Sequence, residues 1–144
     1  MQTNINCRFC NIEEQQNQRI ISVRDTVVVI LSNPRLMSGH LLVIPKRHVL
    51  GLSELTTEEQ KELFDTVIEF QEKILKNVAS GCDIRQNNRS FQAESDLKVH
   101  HVHVHLQPRE LEDELYQSSQ IYERNIFKPL APEEVEKYRK LFSN

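Results

Sequence analysis

Short runs of β-branched and apolar residues, separated by polar turns, predict strands in the first third of the chain. Ile20–Val23 and Thr26–Ser32 lie on either side of a polar dipeptide, which predicts a β-hairpin. After a loop that contains Pro and Gly, His40–Ile44 predicts a third strand, ended by Pro45. Because short connections join strands that run in opposite directions, we expect an antiparallel sheet.

A helical period follows these strands. Thr56 and Glu59 have the spacing of a capping box, in which Thr56 caps the helix and Glu59 bonds back to it. The apolar positions behind them recur every three or four residues: Leu63, Val67, Phe70, Ile74 and Val78. The pattern predicts one helix of about twenty residues that ends at Ala79 or Ser80, before Gly81.

The second half of the chain predicts two more strands and a terminal helix. Cys82–Gln86 predicts a fourth strand. Val99–Gln107 alternates apolar and polar residues, which is typical of a half-buried fifth strand, and Pro108 ends it. Pro132 begins an amphipathic stretch that predicts a short C-terminal helix, while residues 111–122 are compatible with helix or irregular structure.

Together these elements predict an α+β fold. The expected architecture is a five-stranded antiparallel sheet that meanders along the chain, with one long helix packed on it and a short C-terminal helix. A chain of 144 residues has the usual length of one domain. We therefore interpret residues 1–144 as a single domain whose tail is irregular from about residue 109.

The composition is that of an ordinary globular chain and excludes several classes of protein. Of the residues, 38% are hydrophobic and 27% are charged, so the chain is neither disordered nor fibrous. The longest apolar run, Val27–Leu31, is far shorter than the ~20 residues of a membrane span, and the polar N-terminus has no signal pattern. The net charge of -3 gives no general attraction for nucleic acid, and three cysteines are too few for a disulfide scaffold. We expect a cytoplasmic protein that binds neither membrane nor nucleic acid.

Four of the six histidines fall within the short segment His100–His105. On a strand alternate side chains share a face, so His101, His103 and His105 are expected on one face, about 6.6–6.8 Å apart. The other face then carries the apolar residues that pack on the helix: Val102, Val104 and Leu106.

Three interpretations of this histidine row are open. A solvated face of structural histidines is one, although mutual repulsion disfavours three such groups side by side. A mononuclear metal site is the second, because His-x-His on a strand can chelate, but no Asp or Glu stands beside the row. The third is an anion site, in which imidazole N–H groups hold phosphate oxygens and one neutral imidazole attacks phosphorus. The residues favour the third interpretation.

Three blocks of the chain resemble the histidine triad (HIT) superfamily. His101–Arg109 has the alternating histidine signature of that family, and Gly39–His48 and Cys7–Cys10 are similar to its upstream blocks. The blocks follow the family's order between positions 7 and 109. Arg109 and the segment Asp113–Tyr116 resemble the bacterial and fragile-histidine-triad-like branch.

The resemblance implies a role for each histidine. His103 is expected to be the nucleophile that attacks the α-phosphorus of a purine nucleotide, and water or another acceptor then releases the nucleotidyl group. His105 and His40 are expected to hydrogen-bond the phosphoryl oxygens and to help protonate the leaving group, while His101 orients His103. The family also implies a homodimer whose two sheets join edge to edge, and no catalytic cofactor.

The resemblance also implies nucleotide-binding positions. The ribose-binding residue of the family corresponds to Ser32 or Asn33, although Asn33 is equally typical of a turn before proline. The Gly-Gln-Ser/Thr-Val segment that precedes the triad in the family is replaced here by Asp96–Val99. Lys98, and Asn87 or Asn88, are then expected to contact phosphate, although a solvated loop tip explains them equally well.

Cys7 and Cys10 form a Cys-x-x-Cys pair, a pattern of both redox and metal sites, and no thioredoxin-like context surrounds it. The resemblance implies that this pair binds a structural zinc together with the histidine after the third strand and the first triad histidine. In this chain those residues are His48 and His101. Without zinc, the thiols are expected to be inert.

The function implied by these features is that of a nucleotide hydrolase or nucleotidyltransferase acting on the α-phosphate. The expected substrates are dinucleoside polyphosphates, nucleoside phosphoramidates and adenylylated compounds. Two alternatives stay open. One is a non-catalytic nucleotide-binding or adaptor protein with a degenerate phosphate loop, and the other is a metal-dependent hydrolase that uses the His-x-His-x-His row.

Overall fold

The structure, a computed structural model, describes residues 6–15 and 17–143 and divides into two compact units. The first unit extends to Leu111 and the second begins at Glu112. The elements of the first unit are α1 Ile12–Gln15, a 3-10 turn Asn17–Arg19, β1 Ile20–Val23, β2 Val27–Leu31, β3 Leu41–Pro45, a 3-10 turn Leu52–Glu54, α2 Thr57–Asn77, β4 Gly81–Gln86 and β5 Val104–Arg109. The elements of the second unit are a π-helical turn Tyr116–Gln120, α3 Ile121–Glu123 and α4 Pro132–Phe142.

The five strands form one sheet in the order β1-β2-β3-β5-β4. Every neighbouring pair is antiparallel, so the predicted five-stranded antiparallel sheet is confirmed. The predicted meander is wrong, because β5 lies between β3 and β4. Helix α2 connects β3 to β4, and β4 returns at the edge of the sheet, which leaves the position beside β3 for β5.

Helix α2 begins as the capping box predicts. The Thr56 hydroxyl accepts a hydrogen bond from the Glu59 N–H at 3.2 Å, and the Glu59 carboxylate accepts one from the Thr56 N–H at 2.8 Å. The helix ends at Asn77, earlier than predicted, because Val78 leaves the helical region with φ -123° and ψ -49°. The buried apolar positions of α2 are those of the predicted stripe without its last member: Leu63, Val67, Phe70 and Ile74.

The sheet has a hydrophobic core on each face. Helix α2 covers one face, and that core includes the apolar partners of the histidine row: Val102, Val104 and Leu106. The N-terminal segment covers the other face in a second core: Cys7, Phe9, Ile12, Val28, Ile30, Leu42 and Ile44. The predicted division between an apolar face and a histidine face is therefore present.

Strand β5 lies further along the chain than predicted. It covers Val104–Arg109 instead of beginning at Val99. Before β5 the chain bonds to the loop after β3, where the Val102 N–H donates to the Val49 carbonyl at 2.8 Å. Pro108 lies inside β5, beyond the part that pairs with β3, and its missing N–H is tolerated there.

The second unit consists of short helical segments whose described residues, 112–143, are all at least partly exposed. Pro132 occupies the first turn of α4, so the predicted terminal helix is confirmed. Across residues 6–15 and 17–143, the structure has no helix with the length and hydrophobicity that a bilayer span requires.

Candidate functional site

The histidine row keeps the alternation that the sequence predicts. His105 lies in β5, and the rings of His103 and His105 meet edge to face with centroids 4.8 Å apart. His101 is buried, with an exposed fraction of 3%. The three rings do not share one pocket, however, because His103 and His105 line a cleft whereas His101 faces Cys7 and Cys10.

The cleft has a volume of about 230 Å³. Among the residues predicted to act on or bind a nucleotide, those that line it are Ser32, Asn33, His40, Asn87, His103 and His105. Asn88 and Lys98 line a neighbouring pocket instead. The structure therefore brings Ser32, Asn33 and Asn87 into one cleft with His40, His103 and His105, and leaves Asn88 and Lys98 outside it.

A chain of hydrogen bonds determines the proton positions in His40 and His105. The Leu36 backbone N–H donates to His40 Nδ1 at 3.1 Å, so a neutral His40 carries its proton on Nε2. His40 Nε2 lies 2.9 Å from His105 Nδ1 and donates to it. His105 then carries its own proton on Nε2, where it is a hydrogen-bond donor for an anion.

His103 has the opposite arrangement of proton and lone pair. Its Nδ1 lies 2.6 Å from the carbonyl oxygen of His101, and a carbonyl only accepts hydrogen bonds, so Nδ1 carries the proton. The Nε2 atom of a neutral His103 therefore has a free lone pair. An unprotonated imidazole nitrogen on a residue that lines a cleft can act as a nucleophile.

Burial keeps these imidazoles neutral at physiological pH. Burial, with a smaller effect from nearby His103, lowers the pKa of His40 to about 4. Burial and then the neighbouring His103 and His40 lower the pKa of His105 to about 3. Burial also lowers the pKa of His103, against the opposing effect of its hydrogen bond to the His101 carbonyl. The neutral forms are those that the proton positions described above require.

Three further polar residues of the cleft are not among the sequence candidates: Arg35, Arg85 and Gln107. Gln107 lines the cleft and lies two residues after His105 on β5, so the alternation of the row could have identified it. Arg85 lines the cleft from β4, where it is paired with His105. Its position depends on the register between β4 and β5, and no spacing along the chain contains that information.

A second cluster lies at the other end of the histidine row. Cys7, Cys10, His48 and His101 each offer one donor atom, and these atoms lie within 4.8 Å of one another. Cys7 Sγ lies 3.4 Å from His101 Nδ1, Cys10 Sγ lies 3.4 Å from His48 Nδ1, and the two Nδ1 atoms are 3.3 Å apart. A tetrahedral zinc with its usual bond lengths holds two nitrogens about 3.3 Å apart, and a nitrogen and a sulfur about 3.5 Å apart. The donor atoms therefore fit zinc.

The surroundings of His101 support the same conclusion. His101 Nε2 donates to the Pro45 carbonyl at 2.7 Å, so the Nδ1 lone pair is directed at the cysteines. Both cysteines are free thiols. The group could hold a metal ion, as predicted, and within the described part of the chain it is the one such group found. Because His101 belongs to this cluster, it does not chelate a metal together with His103, which weakens the interpretation of the row as a catalytic metal site.

The segment between the two cysteines contacts the cleft residues. The Phe9 ring meets His101 and His103 edge to face, with centroid distances of 5.9 and 5.1 Å. Arg8 forms an ion pair with Asp96, which lines the cleft. The cysteine segment therefore supports both the His103 ring and the loop before the histidine row.

Comparison with known proteins identifies relatives along most of the chain. A family model for the HIT domain matches residues 13–112. A Bacillus subtilis protein called Protein hit is 31% identical over 106 residues, which cover 72% of this chain and 71% of that protein. The asymmetrical bis(5'-nucleosyl)-tetraphosphatase of Schizosaccharomyces pombe is 37% identical over 81 residues, or 54% of this chain. That match covers 42% of the yeast enzyme, so the chain spans less than half of its length.

Solved structures share the fold. A HIT family protein from Bacillus anthracis superposes with a TM-score of 0.71 and 26% identity, covering 99% of this chain and 98% of that chain. A zinc-bound histidine triad family protein from Mycobacterium smegmatis superposes with a TM-score of 0.65 and 27% identity, covering 76% of this chain and 79% of that chain. The sheet and the long helix are therefore common to a group of proteins, of which at least one binds zinc.

Proposed function

The chain belongs to the HIT domain family, and from that premise we propose that it is a nucleotide hydrolase or nucleotidyltransferase that acts through a covalent nucleotidyl-histidine. One observation carries the proposal. His103 has an unprotonated Nε2 and lines the same cleft as His105, which carries an Nε2–H donor. A neutral imidazole is a competent nucleophile near pH 7, and the lowered pKa of His103, caused mainly by burial, favours that form.

In the first step, the Nε2 lone pair of His103 forms a bond to the α-phosphorus of the nucleotide. The bond between phosphorus and the leaving group breaks, and the leaving group departs with the electron pair. The Nε2–H of His105, held in place by its hydrogen bond from His40, donates a hydrogen bond to the phosphoryl group, a polyphosphate leaves as the anion, and a leaving amine takes its proton from solvent. The product of this step is a nucleotidyl-histidine on His103.

In the second step, water attacks the same phosphorus and the bond to His103 Nε2 breaks. A nucleoside monophosphate leaves, His103 recovers its lone pair, and the proton that the attacking water loses passes to solvent. Another acceptor in place of water makes the reaction a nucleotidyl transfer. In both steps negative charge develops on the phosphoryl oxygens, where the fixed Nε2–H of His105 stabilises it.

The proposed substrate is a purine nucleotide with a substituted α-phosphate. Ser32 and Asn33 line the cleft and offer polar groups to a ribose, and Leu42 adds an apolar surface. A dinucleoside polyphosphate, a nucleoside phosphoramidate and an adenylylated compound all have such an α-phosphate. The name of the yeast relative, a bis(5'-nucleosyl)-tetraphosphatase, supports the first of these.

A non-catalytic nucleotide-binding protein is the second candidate function. The observation that favours it is the loop before the histidine row, where Asp96–Val99 replaces the Gly-Gln segment of the family. Lys98 does not line the catalytic cleft, so it does not replace the missing contacts there.

Substitution of the nucleophile distinguishes these functions. We expect His103→Asn to abolish turnover of every nucleotide substrate that the wild type hydrolyses, because Asn has no nucleophilic nitrogen, while its thermal unfolding stays close to that of the wild type. His100→Asn is the matched control, since the His100 ring bonds the Gln92 carbonyl and lies outside the cleft. Wild-type turnover by a folded His103→Asn would exclude the covalent mechanism, and a wild type that binds nucleotides without turnover would favour the second candidate.

We also propose that the chain forms a homodimer through α2 and β4. Strand β4 is an edge of the sheet, and Gln71 of α2 donates to the Cys82 carbonyl of β4 at 3.3 Å, so the two elements adjoin. Large apolar residues near this junction are 45–55% exposed: Phe64, Ile68, Leu75 and Ile84. A second copy of the chain would cover this surface and extend the sheet at β4.

Three further proposals concern the chain as a whole. The cluster of Cys7, Cys10, His48 and His101 is proposed to hold a structural zinc, supported by its tetrahedral distances. A cytoplasmic location is proposed from the free thiols of all three cysteines. Residues 1–144 are proposed to form one domain, whose cleft and metal cluster belong to the first unit.

A further inference from the structure

The cleft changes from apolar to cationic across the sheet. At the level of His105, the paired residue on β3 is Leu42 and the paired residue on β4 is Arg85. Paired residues of antiparallel strands point to the same face, and all three line the cleft. The cleft therefore has an apolar wall toward β3 and a cationic wall toward β4.

The charges of the lining residues favour an anion on the β4 side. One acidic residue, Asp96, lines the cleft, and its carboxylate is engaged by Arg8. Two arginines, Arg35 and Arg85, also line it. Among residues 6–15 and 17–143, the structure pairs neither of them with a carboxylate.

Arg85 lies within reach of a group bound at the catalytic histidines. Opposed Cα atoms of antiparallel strands lie about 4.5–5.5 Å apart, a separation that an arginine side chain can span. After burial and the nearby His103 and His40, the charges of Arg85 and then of Lys98 also lower the pKa of His105, so the positive potential at this ring comes from both side chains, of which Arg85 is the one that lines the cleft.

We infer that Arg85 binds the leaving group of the substrate and that it selects an anionic phosphate chain over a neutral amine. This inference rests on the proposed function and names the substrate class of the same site. The nucleoside lies toward Leu42 and Asn33, the α-phosphate lies at His103, and the remaining phosphates extend over Arg85 toward the sheet edge. A guanidinium suits this role because its planar N–H groups match two phosphate oxygens at once.

The assignment differs from the sequence prediction, in which Lys98 supplied this charge. Lys98 lines two pockets beside the cleft but not the cleft itself. Arg85 lies on a strand that is fixed by six residue pairs with β5, so its side chain starts from a defined position. A charge on a regular strand also binds phosphate at less conformational cost than one on a loop.

The test compares two adenosine substrates that share an α-phosphoryl group and differ in the leaving group. Diadenosine tetraphosphate has an anionic phosphate chain, whereas adenosine 5'-phosphoramidate loses a neutral amine. We expect Arg85→Gln to reduce kcat/KM for the tetraphosphate by about tenfold to a hundredfold, and at least tenfold more than for the phosphoramidate. Arg85→Lys is expected to recover part of the loss. Arg89→Gln removes the same charge outside the cleft and is expected to keep the wild-type ratio of the two substrates.

The inference is overturned if Arg85→Gln lowers both kcat/KM values equally, or if Lys98→Gln changes their ratio more than Arg85→Gln does. In either case a wild type that hydrolyses one of the substrates leaves the proposed function intact. If the wild type hydrolyses neither substrate, the proposed function fails, and the role of Arg85 is then tested by nucleotide affinity. The affinities for AMP and ATP are measured for His103→Asn and for the double variant His103→Asn/Arg85→Gln. The inference is overturned if both proteins prefer ATP over AMP by the same factor, or if neither nucleotide binds.

Discussion

Three backbone groups determine which ring nitrogen carries the proton in neighbouring histidines. The Pro45 carbonyl holds the proton of His101 on Nε2, which directs its Nδ1 lone pair to the cysteines. The His101 carbonyl holds the proton of His103 on Nδ1, which frees its Nε2 lone pair. The Leu36 N–H acts through His40 and leaves the proton of His105 on Nε2. One residue type thus offers a lone pair to the Cys7 and Cys10 thiols, a lone pair on a second ring and a hydrogen-bond donor on a third, within five residues of chain.

At the residue scale, the lowered pKa of His105 predicts how stability depends on pH. The folded-state pKa is about 3, whereas an unfolded histidine titrates near 6.5. The unfolded chain therefore binds more protons below about pH 6.5, and the free energy of unfolding decreases as the pH falls from 7 toward 4. The free energy of unfolding, measured by urea unfolding, is expected to decrease between pH 7 and pH 5 in both proteins. We expect this decrease to be about 1–2 kcal/mol smaller in His105→Gln than in the wild type.

Both proteins contain the charged and titratable groups that contribute to the lowered pKa of His105, so the comparison isolates His105 itself: His40, His103, Arg85 and Lys98. The metal-cluster residues are also the same in both proteins. His100→Gln is the control and is expected to keep the wild-type pH dependence. Equal losses of stability for His105→Gln and the wild type would contradict the account of a buried, neutral His105.

Much of the site could be predicted at this scale, and the exceptions have a physical reason. His103, His105 and the metal cluster follow from alternation and from family blocks that are local in sequence. Arg85 could not be predicted, because it reaches the cleft only through the pairing of β4 with β5. Lys98 is close in sequence to the histidine row, but the loop that carries it directs it to neighbouring pockets.

At the element scale, the Cys-x-x-Cys segment joins the N-terminus to the histidine row. Cys7 and Cys10 approach His48 and His101, and Phe9 between them packs on the rings of the row. A metal ion at this cluster would fix a segment that regular secondary structure stabilises only weakly, since α1 has four residues. Metal binding should therefore contribute to the stability of the folded chain.

Removal of that metal is expected to lower thermal stability. A chelator should reduce the Tm of the zinc-loaded wild type by roughly 10 °C or more, since structural zinc sites contribute several kcal/mol to folding. The double variant Cys7→Ser/Cys10→Ser should show no response to the chelator. Metal content is measured on the same samples by mass spectrometry.

The third cysteine provides the matched control for this experiment. Cys82 lies in β4, outside the donor cluster, and Cys82→Ser is expected to respond to the chelator as the wild type does. A wild type that takes up no zinc and has the same Tm with and without the chelator would contradict the proposed structural site.

The elements themselves could largely be predicted, whereas their order in the sheet could not. The capping box of α2 and the alternation along β5 are short-range patterns, and both predict which residues face the core. Alternation places the start of β5 too early, because it continues through His101 and His103, whereas the residue pairing with β3 begins only at Val104. The position of β5 between β3 and β4 depends on pairing between strands that are far apart in sequence, and local residue patterns contain no information on that pairing.

At the scale of the whole molecule, the exposed surface of α2 and β4 predicts the oligomeric state. We expect the wild type to sediment as a dimer and Ile68→Glu to sediment as a monomer, because the charge would be buried without a partner in the interface. Analytical ultracentrifugation over a range of protein concentrations measures both. The matched control is Ile21→Glu, which places the same charge on exposed β1 at the opposite edge of the sheet.

A monomeric wild type, or a dimer that Ile21→Glu disrupts and Ile68→Glu does not, would contradict the proposed interface.

The fold class follows from the sequence at this scale, because alternating strands and a single long helix have few ways to bury their apolar faces. The sequence predicts a tail from about residue 109, and the structure divides the chain after Leu111. Helical spacing in the tail predicts α4 but contains no information on packing.

The central claim, a covalent bond between His103 and the α-phosphorus, is tested most directly by trapping the intermediate. The wild type is mixed with diadenosine tetraphosphate, the reaction is stopped within milliseconds at alkaline pH to preserve the phosphorus–nitrogen bond, and the digested protein is analysed by mass spectrometry. The account predicts one adenylyl group on the peptide that contains the histidine row, located on His103 and absent from His103→Asn. Steady turnover without any adenylated peptide, or an adenylyl group on a different residue, would contradict it.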